Sequence, residues 1–98
     1  MDAFNIARDA IQADRICPYA HQGQILALRE GYLRAEEACR RQIERIADLP
    51  DPAPRDVKPR KELIRDLARL GNQCLYWAEV KRKMLPYYPP QNMRQDGG

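Results

Sequence analysis

The sequence predicts an all-α protein: a short N-terminal helix followed by two long antiparallel helices, a helical hairpin assembled into an oligomeric helical bundle. Three observations predict it. Apolar residues recur every three or four positions through two long stretches, clusters of proline separate those stretches, and no segment alternates apolar and polar residues with period two.

The stretch over residues 24–48 organises the rest. Ile25, Leu28, Tyr32, Ala35, Cys39, Ile43 and Ile46 fall on one helical face, with arginine and glutamate opposite. Such a stripe is stable only when packed, so the helix, about 21–48, requires a partner. Gly31 weakens it by about 1 kcal/mol relative to alanine and marks a close approach of another backbone or of a ligand. Upstream, Asp2 is placed to cap a helix over about 2–16, whose Phe4, Ala7 and Ile11 make a narrow apolar edge. Pro18 ends that helix.

Pro50, Pro52, Pro54 and Pro59 make residues 49–59 a semi-rigid linker, and the second long helix is expected over about 60–85. Its seam is Leu63, Leu67, Leu70, Cys74, Trp77 and Met84, widened by Ile64, Ala68, Gly71, Leu75, Ala78 and Leu85. That face is broader than one partner helix needs, so a neighbouring subunit is expected on it as well. Core and subunit contacts are therefore expected from Leu28, Tyr32, Leu67, Leu70, Cys74 and Trp77. The tail over residues 86–98, with Pro89, Pro90 and a closing glycine pair, is expected to be mobile.

With 98 residues the chain is one small domain, and 44% hydrophobic with 32% charged residues is the composition of a soluble helical protein. The net charge of +3 is unevenly spread: residues 55–85 carry nine basic groups against four acids, which favours anionic partners without the density of a dedicated duplex-DNA binder. Cys17, Cys39 and Cys74 are widely spaced and lack metal-ligand spacing. Cys39 and Cys74 lie on apolar faces and are expected as buried thiols, a helix-to-helix disulfide being the minor alternative. No metal and no cofactor is expected. No secretory leader and no run of about 18 apolar residues occurs, so a cytoplasmic protein without membrane contact is expected.

No glycine-rich phosphate loop, nucleophile elbow or zinc-protease motif is present, so no enzyme is expected. His21, next to Tyr19 at the entrance of the long helix, serves either as a cap or as one wall of an anion site, where Tyr19 would stack on a base. Lys81, Arg82 and Lys83 either complement the helix dipole or bind phosphate together with Tyr87 and Tyr88. Glu37 and Arg41 are spaced as a helix ion pair on a solvated face.

His21 opening the first long helix, the Arg29-Glu30 and Tyr32 run, Ala35-Glu36 and Tyr76-Trp77-Ala78 together resemble the phage anti-CBASS cyclic-oligonucleotide sponges over residues 21–83. The chain departs from that family in its proline-rich linker and in having Leu33 and Arg34 where the family carries a lysine. The resemblance implies a homo-oligomer from a phage, acting in the host bacterial cytosol, that traps a cyclic di- or trinucleotide at subunit interfaces without catalysis. Tyr19, His21 and Arg34 are the residues it offers for one site, and Arg65 with Arg69 for another. Two other readings stand beside it: an anti-CRISPR-like inhibitor that docks on a host protein, and a basic helical DNA-packaging adaptor.

Overall fold

The computed structural model describes residues 2–90. Three helices account for most of them: α1 (Ala3–Ile16), α2 (Gln22–Ala47) and α3 (Pro54–Met84), followed by a short 3-10 turn at Leu85–Tyr87. Among the described residues there is no strand. Each helix runs opposite to the one before it, because Ala3 meets Gln42 and Ala10 meets Gly31, while Gln22 meets Leu85 and Cys39 meets Gly71.

Local chemistry sets most of the boundaries. The Asp2 carboxylate accepts from the backbone N–H groups of Phe4 and Asn5 at 2.7 and 3.2 Å, satisfying two donors that the first turn of α1 leaves free. Pro18 follows the last turn of α1, and α2 stops one residue before Asp48, ahead of the proline cluster. The linker is shorter than residues 49–59. Pro54, rather than Pro59, occupies the first turn of α3, where a missing N–H is no loss and a fixed φ suits the helix. Pro59 is carried inside the helix; it removes the hydrogen bond that the Arg55 carbonyl would otherwise accept, and Arg55 is exposed to solvent.

The seam between α2 and α3 is built from small side chains. Ala35 and Cys39 on α2 face Gly71, Cys74 and Ala78 on α3, all buried, and a Cβ at Gly71 would sit 3.4 Å from that of Cys39. One end of the seam is filled by Leu67, Ile46 and Ala3, and the other by Tyr32, Ala7 and Ala10. At Gly31 a Cβ would meet the Ala10 side chain of α1 at 3.7 Å, an ordinary packing distance, so neither a close backbone approach nor crowding requires glycine there. Helix α1 lies mainly on α2 and touches α3 sparingly.

The buried line of α3 is Leu67, Gly71, Cys74, Ala78 and Lys81, rotated away from Leu63, Leu70, Trp77 and Met84 of the expected seam. Leu28, Tyr32, Leu67 and Cys74 are core residues as expected, and Leu70 is half-buried against both core clusters. Trp77 is not in the core of one chain. It is 37% exposed, because a seam this narrow has no room for an indole. Phe4, Ile11 and Leu63 are comparably exposed.

The first part of the tail is docked rather than free. Gln22 donates from its backbone N–H to the Pro89 carbonyl and from its side-chain amide to the Leu85 carbonyl, both at 2.8 Å. Residues 91–98 of the expected mobile tail lie outside the described residues. The result is a rod of 66 × 18 × 18 Å, with a radius of gyration of 17.6 Å against about 13 Å for a compact chain of this length. No helix among the described residues is long and apolar enough to cross a membrane.

Leu67→Ala is expected to lower stability by about 2–5 kcal/mol in urea denaturation, as for deletion of a fully buried leucine. Trp77→Ala is expected to lower it less when both variants are compared as monomers. Equal losses would contradict the placement of the core.

Candidate functional site

The entrance of α2 is where the chain departs furthest from ordinary helix chemistry. After Pro18, Tyr19 takes a positive φ of 53°, a conformation that costs a non-glycine residue about 1–2 kcal/mol. It directs the phenol toward the end of α3. There the Lys81 ammonium, 4% exposed, donates to the Tyr19 hydroxyl at 2.9 Å and stands 2.9 Å from Asp14 Oδ1. The approach to Oδ1 lies outside hydrogen-bond angles, so that contact is Coulombic. The Tyr32 hydroxyl donates to Asp14 Oδ2 at 2.6 Å. Nζ also stands over the Tyr19 ring, 5.0 Å from its centre, so the ring as well as the hydroxyl meets the cation. One buried cation thus ties α1, α2, α3 and the turn after α1. Tyr88 from the docked tail adds a tilted ring contact to Tyr19 at 6.3 Å.

His21 is the N-cap residue of α2, but its imidazole makes no cap hydrogen bond. The cap is supplied by Gln24, whose side-chain oxygen accepts from the His21 backbone N–H at 3.2 Å, while His21 Nδ1 is buried and finds no hydrogen-bond partner among the described residues. Tyr19 and His21 therefore belong to the packed end of the rod. In one chain Arg34 does not join them: it lies 13 residues beyond His21, about 20 Å along the helix. A site using all three needs two chains.

Arg34 instead lines a shallow depression of about 340 Å³ on the outer face of α2, with Glu37, Ala38, Arg41 and Arg45. The three arginines are spaced by seven and four residues, which places them on one narrow stripe. Arg41 pairs with Glu37 at 2.6 Å, whereas Arg34 and Arg45 have no ion-pair partner among the described residues. Arg65 and Arg69 are exposed on α3, one turn apart, and are likewise unpaired among the described residues.

Lys81 is the residue that sequence reasoning missed, having grouped it with Arg82 and Lys83 as a surface cluster. Its spacing carried the signal, since Cys74, Ala78 and Lys81 continue one helical line. Arg82 is exposed and bonded to Glu79, whose carboxyl that hydrogen bond pulls below the usual carboxylate range.

Cys39 and Cys74 are buried free thiols, and Cys17 is half-buried. Burial raises the Cys39 thiol above its ordinary range, and burial followed by the proximity of Cys39 pushes Cys74 up to about 11. Burial, then the hydrogen bond to Asp14, raises Tyr32 as well. Among the described residues no group of three or more His, Cys, Asp or Glu side chains is placed to hold a metal ion.

The thiol of Cys74 and the phenol of Tyr32 both hold their protons more tightly in the folded chain than in the unfolded one. Their contribution is complete below pH 9.0 and is lost as pH rises, the Cys74 share between 9.0 and about 11 and the Tyr32 share from 10.0 upward. Under reducing conditions the urea midpoint should be level to pH 9.0 and fall above it, with Cys74→Ala flattening the first part of the fall. A midpoint constant through pH 11 in the wild-type chain would contradict this.

No protein-family model, curated protein or solved structure matches this chain.

Proposed function

We propose that the chain is a non-enzymatic counter-defence protein that self-associates and sequesters a phosphate-bearing second messenger of the cyclic di- or trinucleotide class. The observation that carries the reading is the Arg34–Arg41–Arg45 stripe around a shallow depression, in which two guanidinium groups have no carboxylate partner among the described residues. Guanidinium forks match phosphate oxygens in charge and geometry. A depression this shallow covers one side of a nucleotide ring, and a second copy of the chain supplies the other. Phe4, Ile11, Leu63 and Trp77 are among the exposed apolar groups available for self-association. Sequestration then lowers free messenger by mass action, with no bond made or broken. The ligand class comes from the resemblance to the sponge family.

Those same exposed apolar groups suit a second reading, in which they meet a host protein instead of another copy.

Isothermal titration of the purified protein with cyclic di- and trinucleotides is expected to give saturable binding, which Arg34→Ala weakens at least about tenfold, the loss expected for one charge-assisted contact. No heat with any of these ligands would remove the reading. Light scattering at micromolar concentration is expected to return a mass above that of one 11.4 kDa chain, and a monodisperse monomer would contradict self-association.

A further inference from the structure

We infer that the outward face of α3 is a binding surface for single-stranded nucleic acid, separate from the Arg34 depression on α2. Lys58, Arg65, Arg69, Tyr76 and Lys83 follow one another at spacings of 7, 4, 7 and 7 residues. At 100° per residue all five lie within about 20° of the direction opposite Leu67. All are exposed, in keeping with the burial of Leu67, Cys74 and Ala78 on the other side of the same helix.

Three outward cations elsewhere on this rod are neutralised by their own helix. Arg40 pairs with Glu36, Arg41 with Glu37 and Arg82 with Glu79. The four cations of the α3 stripe have no such partner among the described residues; Glu62 and Glu79 border it, and Glu79, bonded to Arg82, also feels the charge of Lys83. The stripe runs 25 residues, about 37 Å, which matches an extended polyanion and exceeds what a cyclic dinucleotide can span.

Tyr76 distinguishes a single strand from a duplex. Its ring is 62% exposed in the middle of the charges and is braced edge-on by Trp77, with ring centres 5.1 Å apart and planes at 75°. An exposed, braced aromatic ring amid cations can stack on an unpaired base, whereas a duplex keeps its base faces covered.

Fluorescence anisotropy of the full chain with labelled oligothymidylate of about 15 nucleotides, within the usual range of single-strand sites, tests the assignment. The logarithm of affinity should fall against the logarithm of salt concentration with a slope of about −3, from four phosphate contacts on a single strand. Arg65→Glu with Arg69→Glu should weaken binding at least about tenfold and flatten the slope. Tyr76→Ala should weaken binding and leave the slope unchanged, and Arg34→Ala should have no effect. Circular dichroism checks that these surface variants stay helical. The inference is overturned if the oligonucleotide does not bind at low salt, if the charge-reversed variant binds as tightly as wild type, or if a duplex of equal length or phosphatidylserine vesicles bind more tightly. Failure of cyclic-nucleotide binding leaves this result untouched, since that reading is measured by calorimetry through Arg34.

Discussion

The close approach of α2 and α3 across small side chains is the constraint on which the rest of the molecule depends. Where Gly71 faces Cys39 an added methyl group would already stand 3.4 Å from the Cys39 Cβ, and Ala35, Cys74 and Ala78 continue the same narrow line. Helices packed so closely gain many dispersion contacts but bury few large side chains. The bulky apolar groups are displaced to the edges, which is why Trp77, Phe4, Ile11 and Leu63 are partly exposed. A rod 18 Å across with a thin core has apolar surface to cover, and self-association is the means we propose.

At one end of the rod the thin core gives way to a polar one. Lys81 is buried against Asp14, Tyr19 and the Met84 thioether, and Asp14 also accepts from Tyr32. A buried charge is tolerated only where its partners are fixed in place. Here those partners come from three helices and from a tyrosine held in left-handed backbone geometry, so the tie sets how α1 and the chain entering α2 sit on α3. This places Tyr19 and Tyr88 within a structural cluster, and the arginines of the outer faces remain as the groups free to meet a ligand.

The helices and most of their ends were legible because they follow from local chemistry: the Asp2 cap, the stop at Pro18, the period of the α2 stripe. The start of α3 was not, because Pro54 and Pro59 both satisfy the local rule for a first turn and the choice depends on packing further along. Trp77, expected in the core or in a subunit contact, lies outside the core of one chain for a related reason. Periodicity identifies a broad apolar face, but which part of it is buried depends on how closely the partner helix approaches, and that distance is set by Gly71 and Cys39 together. The candidate site was legible as charge, since Arg34, Arg65 and Arg69 are exposed basic residues, and illegible as grouping. The buried Lys81 was hidden by its neighbours Arg82 and Lys83, which resemble it in type and differ from it in direction.

The central claim, that the narrow α2–α3 seam sets the shape of the molecule, is tested most directly at Gly71. Gly71→Val places branched carbon where a Cβ already stands 3.4 Å from that of Cys39, and overpacking of this kind costs about 1–3 kcal/mol. Thermal unfolding of Gly71→Val should show that loss, and adding Cys39→Ala should recover part of it. A Gly71→Val chain that melts at the wild-type temperature would show that the helices are not held at this distance and would contradict the account.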